Sequence, residues 1–231
     1  MSHATTQKTR SLFDFGPLAD EYDRWYDTPA GRDHDKRQQS LVRRFLPAPD
    51  PGDRLLDVGC GTGHWSRFFE EQGFTVIGVD ISPAMVAAAS SRHTPNCLFE
   101  VADACQLPFD DASFDVVAAM ATLEFVPDVP TALAEMLRCI RGGGSLLVGT
   151  LNRLSLLNRH RVAKGKEPYA SARMFSASEL RAILTSYGRV RMRVTAEKYG
   201  HRRKGVWKSV GRRLLFRQNP MGAFIVAEVR K

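Results

Sequence analysis

The sequence predicts an α/β protein in which a mostly parallel sheet is covered by helices on both faces. Three observations lead there. Arg54–Val58 is a short, largely apolar run that passes directly into Gly59-Cys60-Gly61-Thr62-Gly63, the pattern of a buried strand leaving through a tight turn. A second run, Phe74–Val79, ends in an acid, Asp80. A third, Phe114–Met120, is apolar almost without interruption, as expected of a strand covered on both faces. At 231 residues, 43% hydrophobic and 25% charged, the chain fits one soluble α/β domain with a sizeable core.

Taken in order, Ser11–Asp27 reads as a helix carrying Phe13, Phe15, Leu18, Tyr22, Trp25 and Tyr26, broken by Thr28-Pro29-Ala30-Gly31. Asp33–Leu46 reads as a second helix, and the proline-rich stretch from Pro47 to Gly52 precedes the first strand. Arg67-Phe68-Phe69 lie in a helix that Gly73 ends. After Asp80, Ser82-Pro83 has the form of an N-cap and first helical residue, with Met85, Val86 and Ala89 turned to the sheet. Cys97–Ala102 is the third strand and Thr131–Ile140 a helix, with Arg141-Gly142-Gly143-Gly144 as its stop and Ser145–Thr150 as the fifth strand. The segment 151–175 reads as an insertion, and Ser176-Ala177-Ser178-Glu179 has the spacing of a capping box for a last core helix. Two final strands follow, Gly188–Tyr199 and Gly222–Val229. Between them, 201–217 holds seven Lys/Arg and no acid. Val206, Val210 and Leu214 recur there at helical spacing beside a Lys204, Lys208, Arg212 stripe, which describes a basic amphipathic helix.

No apolar stretch approaches the ~20 residues a membrane span needs. Met1–Arg10 is polar and carries no signal-peptide core. Cys60, Cys97, Cys105 and Cys139 form no C-x-x-C pair; they read as reduced thiols of a cytoplasmic protein, and no ligand spacing for a metal is present. Residues 1–137 contain 11 Lys/Arg and 21 Asp/Glu, whereas residues 138–231 contain 22 and 4, so the net charge of +8 combines −10 with +18. Either both surfaces are simply solvated, or the basic half meets an anionic small molecule, an acidic membrane or RNA.

The glycine spacing separates cofactor classes. A dinucleotide fingerprint runs G-x-G-x-x-G; here the third glycine comes one residue early, at Gly63, and His64 takes the later place. Asp57-Val58-Gly59-Cys60-Gly61-Thr62-Gly63 resembles the first motif of class I S-adenosylmethionine-dependent methyltransferases. The likeness continues in order through Asp80, Ala102-Asp103-Ala104 and Phe114-Asp115-Val116-Val117, covering about Pro51 to Thr150. It implies a Rossmann-like, seven-stranded, mostly parallel sheet with its last strand antiparallel. An N-terminal helical lid over 1–50 would cover a cofactor-binding core over 51–231, with inserted lid segments near 151–175 and 201–217.

The resemblance implies S-adenosyl-L-methionine as cofactor and S-adenosyl-L-homocysteine as product. The implied binding set is Tyr22, Asp57, Gly59, Cys60, Gly61, Gly63, Asp80, Ile81, Asp103, Ala104 and Met120. Asp80 would take the ribose diol, Ile81 would lie on the adenine, and Asp103 would accept from its amino group. Tyr22 and Tyr26 match the lid tyrosines of small-molecule methyltransferases, although such aromatic clusters are also ordinary packing. After the fourth strand stands Ala121-Thr122-Leu123-Glu124 in place of the Asn-Pro-Pro-Tyr of amino-group methyltransferases, which disfavours base or glutamine amide methylation. Glu124 is a candidate base, and equally an exposed acid capping the next helix; Tyr26 is a second candidate. The expected reaction is methyl transfer to a small-molecule acceptor, anionic or hydrophobic, in an enzyme similar to quinone-biosynthesis methyltransferases. An RNA-directed methyltransferase or nucleic-acid-binding module using the basic half is the alternative, although no aromatic interleaving or recognised RNA module supports it. A nicotinamide-dependent oxidoreductase is disfavoured by the glycine spacing.

Overall fold

A computed structural model of the chain describes residues 11–19, 21–196 and 221–231; the basic segment 201–217 lies outside them. Among the described residues are six α-helices and seven strands. Polar side chains fix where several of the helices start. Thr28, Ser82, Asp128 and Ser176 each accept a backbone N–H as N-caps of α1 (Pro29–Val42), α3 (Pro83–Ser91), α4 (Val129–Cys139) and α6 (Ala177–Thr185). The first three carry a proline in the first two helical positions, where its missing N–H costs nothing. At α6 the full capping box forms between Ser176 and Glu179. Each such cap contributes about 1 kcal/mol. The remaining two helices are α2 (His64–Glu71) and α5 (Leu156–Ala163).

The strands β1 (Arg54–Val58), β2 (Thr75–Asp80), β3 (Cys97–Val101), β4 (Phe114–Met120), β5 (Ile140–Leu151), β6 (Arg189–Val194) and β7 (Phe224–Arg230) form one sheet in the order β3-β2-β1-β4-β5-β7-β6. Strands β1 to β5 run parallel, and β7 is antiparallel to both of its neighbours. This is the Rossmann-like sheet expected, with its last strand reversed. All seven residues of β4 are buried, because helices cover both faces. Leu55, Val116, Ala118 and Met120 pack with Val42, Phe45, Trp65, Phe68 and Phe69 on one face. Leu56, Val117 and Ala119 pack with Leu133, Met136, Leu180 and Leu184 on the other. Phe68, Phe69 and Phe74 are at most 2% exposed, and burial of each large side chain stabilises by roughly 1.5–3 kcal/mol.

Three boundaries differ from the sequence reading. Ser11–Asp27 is not one helix; it contains two short 3₁₀ turns, Gly16–Leu18 and Tyr22–Trp25, with Pro17 inside the first. Thr28-Pro29 does not break a helix but starts one, Thr28 accepting from the Gly31 N–H at 3.0 Å. The glycines 142–144 do not end α4; they lie within β5, where a side chain at Gly144 would come within 2.6 Å of the Asp115 carbonyl. A glycine inside a strand marks such a close backbone approach.

Candidate functional site

Beyond the carboxyl ends of β1 and β4, on either side of which the strand order runs in opposite directions, lies a cavity of about 490 Å³. Ligands of doubly wound sheets bind at this point of reversal. One wall is the turn after β1. Gly59 has φ of +72° and its N–H donates to the Val79 carbonyl at 2.7 Å. A Cβ there would fall 2.2 Å from Thr122 Cγ2, so only glycine fits. Gly61, at φ +54°, has nothing within 4 Å of a Cβ position: its open side faces the cavity. Gly63, at φ +79°, is the N-cap of α2 and is buried away from the wall.

Asp80 ends β2 on the cavity wall, its Oδ2 accepting from Gly61 N–H and its Oδ1 from Ser82 N–H, both at 2.9 Å. Burial pushes its pKa up, and the N–H groups of Ser82, Gly61 and Ile81 pull it back. Asp103 also lines the cavity and caps its own turn by accepting from Cys105 N–H at 2.8 Å. Tyr22, Tyr26, Cys60, Ile81, Ala104 and Met120 complete the wall residues expected from sequence. All four cysteines are free thiols.

Two expected acids lie behind the wall, as Gly63 does. Asp57 is fully buried and accepts from the Ser66 hydroxyl at 2.6 Å, which ties β1 to α2; its Oδ1 has no partner, and burial raises its pKa to about 7. Glu124 is fully buried in a 3₁₀ turn, Leu123–Phe125, not exposed, and Asp128 caps α4 in its stead. The Leu151 N–H donates to Glu124 Oε1, Oε2 has no partner, and burial raises this pKa to about 7 as well.

Further residues beyond the expected binding set build the site, and of these sequence reasoning assigns no role to His64 or Asp23. His64 lines the cavity, with its Nε2 2.8 Å from Asp35 Oδ1 and its ring stacked on Tyr26 at 3.8 Å. Thr122 donates to the Val58 carbonyl at 3.0 Å, joining the ends of β1 and β4. Between Met120 and Thr122, Ala121 holds φ of +55°, a left-handed conformation that costs an alanine of order 1 kcal/mol and is typical of functional turns. Asp23 accepts from the buried Thr62 hydroxyl at 2.7 Å and pairs with Arg92, latching the N-terminal segment to the glycine turn. That segment supplies the remaining wall, Ser11, Phe13, Asp14, Phe15, Tyr22 and Tyr26, with Phe15 meeting Phe125 edge-on at 4.8 Å. Burial, the largest cause, holds both tyrosine pKa values above the usual phenol range, so neither hydroxyl ionises near neutrality. No Lys or Arg lines the cavity among the described residues, and no group there of His, Cys, Asp and Glu could hold a metal ion.

A glycine turn leaving β1, acids at the ends of β2 and β3 and a cavity at the reversal of strand order place this chain in the doubly wound class of α/β folds, with the form of a nucleoside site at the reversal. Residues 56–148 match the family described as methyltransferase domain. The chain is 35% identical over 126 residues to a malonyl-[acyl-carrier protein] O-methyltransferase of Serratia marcescens, and 41% identical over 134 residues to a 2-methyl-6-phytyl-1,4-hydroquinone methyltransferase of Synechocystis. Each alignment takes in 54% of this chain and 48% or 42% of the relative, so the chain spans about half the length of the curated relatives it matches. A crystal structure from Thermotoga maritima, of an S-adenosylmethionine-dependent methyltransferase described as a possible histamine N-methyltransferase, superposes with a TM-score of 0.72 at 26% identity, over 94% of this chain and 98% of that one. The chain is thus similar to methyltransferases over residues 56–148, and similar in fold over nearly its whole length to an S-adenosylmethionine-dependent methyltransferase.

Proposed function

We propose that this chain binds S-adenosylmethionine in the cavity at the β1/β4 reversal and methylates a small, largely apolar molecule seated against its aromatic wall. The observation that carries this reading is the mixed lining of one cavity. The glycine turn, Asp80 and Asp103 offer polar groups to a ligand, and Phe13, Phe15, Tyr22, Phe125, Val126 and Pro127 offer apolar surface. The residues suit this cofactor. Gly61 leaves room for a ligand on the backbone, and the acids Asp14, Asp80 and Asp103 on the wall suit a positively charged sulfonium ligand.

When bound, S-adenosylmethionine supplies a methyl group already activated by the sulfonium, transferred by direct displacement. The protein's part is to bind, orient and exclude water. Asp80, already oriented by two backbone N–H groups, offers its remaining lone pairs to a ribose diol. Asp103, steadied by Cys105 N–H, is placed for the adenine amino group beside Ile81 and Ala104. Asp57 acts through others: it braces β1 on α2 and so fixes the path of the glycine turn. Tyr22 and Tyr26 close the cavity from the N-terminal side as neutral phenols, not as bases. Glu124 sits behind the wall and serves as a brace for β5. His64 is the wall side chain best suited to handle a proton, since Asp35 takes Nε2 and leaves Nδ1 to a ligand.

Calorimetry with S-adenosylhomocysteine and with NAD tests the reading. Micromolar binding of the former alone is expected. In Asp80→Asn the amide keeps one acceptor and loses the other together with the charge, which should weaken binding by about 1.5–3 kcal/mol, the worth of one hydrogen bond to a charged group. Unchanged affinity in that variant would remove Asp80 from the site.

A further inference from the structure

We infer that the insertion carrying α5 is a docking surface for an acidic lipid membrane, presented beside the roof of the cavity. The inference goes beyond the proposed methyl transfer and does not depend on it. Leu156, Arg159, His160 and Ala163 follow the i, i+3, i+4, i+7 spacing of one helix face, and all four are exposed. The opposite side is anchored: Asn158 is fully buried and donates to the Asn152 and Ala223 carbonyls at 3.0 and 2.9 Å. The helix is therefore held rigidly with its outer face in water. Large apolar side chains around the helix are exposed with it. Leu154 just ahead of it, Leu156 on that face and Val162 on its flank are 40%, 47% and 43% exposed, three of the seven large hydrophobic side chains that the described surface exposes.

Cations surround those side chains. Segment 151–166 contains Arg153, Arg159, Arg161, Lys164 and Lys166 and no Asp or Glu. Arg153 is paired with Glu179, and Arg161 lies over the rings of Trp25 and Tyr169. Arg159, Lys164 and Lys166 are exposed and lie in no salt bridge of the described structure. Exposed aliphatic side chains ringed by cations match an acidic leaflet, which takes the former into the headgroup boundary and attracts the latter. An RNA would match the cations but not the three aliphatic side chains. Placement gives the surface a use. Arg161 reaches Trp25, whose ring is 5.1 Å from Tyr26 on the cavity wall, so a membrane against α5 would lie next to the lid.

The test uses the full chain and sedimentation with phosphatidylcholine vesicles, with and without phosphatidylglycerol, at low salt. Binding to the acidic vesicles only is expected, weakening as salt screens the field. Arg159→Glu/Lys164→Glu/Lys166→Glu should bind them at least tenfold more weakly, since each cation near an acidic leaflet contributes several-fold. Leu156→Ser should weaken binding at every salt concentration. Unchanged S-adenosylhomocysteine affinity and far-ultraviolet circular dichroism in these variants show that the fold is intact. A companion variant, Lys204→Glu/Lys208→Glu/Arg212→Glu, assigns the surface. If it abolishes vesicle binding while the α5 triple variant binds as wild type, the inference is wrong. It is equally wrong if neutral vesicles bind as well, or if a single-stranded RNA displaces the chain from acidic vesicles with no effect of Leu156→Ser.

Discussion

Glu124→Gln isolates the energetic consequence of a carboxyl group with nowhere to put its charge. Glu124 is fully buried, with one oxygen taking the Leu151 N–H and the other taking nothing. Its pKa rises from 4.5 to about 7 because burial disfavours the ionised form. A raised acid pKa means that the folded state holds the proton more tightly than the unfolded chain. The group therefore favours folding fully below pH 4.5, loses that contribution as pH rises from 4.5 through about 7, and is flat above. At about 1.4 kcal/mol per pH unit of that window, the loss is roughly 3 kcal/mol. Glutamine keeps the shape and the acceptor for Leu151 but cannot ionise. Its amide nitrogen lacks a partner at every pH, which lowers both ends of the profile alike and cancels from the slope. Urea unfolding followed by tryptophan fluorescence at pH 5 and pH 8.5 reads the effect: wild type should lose about 3 kcal/mol more than the variant between the two. Asp57, shifted in the same direction, remains in both proteins, so the variant keeps some pH dependence. Parallel profiles for the two proteins would show that Glu124 is hydrated in solution and that the argument from burial fails.

Other perturbations separate folding from binding at the same turn. Gly59→Ala places a methyl 2.2 Å from Thr122 Cγ2 at φ +72° and should cost about 2–4 kcal/mol of stability in denaturant titration. Gly61→Val puts its Cβ where no protein atom lies within 4 Å, at the cost of backbone strain at φ +54°, so the domain should still unfold cooperatively at somewhat lower stability while S-adenosylhomocysteine binding is lost in calorimetry; retained binding would put the ligand elsewhere. Asp23→Asn removes the charge that holds Arg92 to the lid. At about 1 kcal/mol for a partly exposed pair, it should speed S-adenosylhomocysteine release about fivefold in stopped-flow fluorescence, with little change in Tm.

The part of the fold legible in the sequence is the part set by local rules. Continuous apolar runs gave β1, β2 and β4, and Ser82-Pro83 and Ser176…Glu179 gave helix starts, because a cap and its helix lie within four residues. The wall residues from Gly59 to Met120 were found through their motif. Less local features were not. His64 and Asp35 are 29 residues apart, and nothing around either announces the other. Thr122 becomes a link between β1 and β4 only once the sheet has formed. The glycines 142–144 looked like a stop because composition shows their flexibility but not the Asp115 carbonyl beside them. The aromatic N-terminal run looked helical, but its rings are placed by Phe125 and His64 across the cavity, and tertiary contacts of that kind override propensity.

The position of β7 bears on synthesis. It pairs with β5 over seven residues and with β6 over six, yet it follows both in the chain. While a ribosome makes this protein, β5 and β6 leave the exit tunnel with no partner between them. At 5–20 residues per second, the roughly 30 residues from the end of β6 to the start of β7 take a few seconds to add. In that interval β5 offers a bare edge of the apolar strand Leu146-Leu147-Val148, a template for pairing with another chain. The yield of soluble protein should therefore depend on translation speed through 195–223 and on chaperone supply, and slowing synthesis there with rare codons should raise the aggregated fraction without altering a single residue.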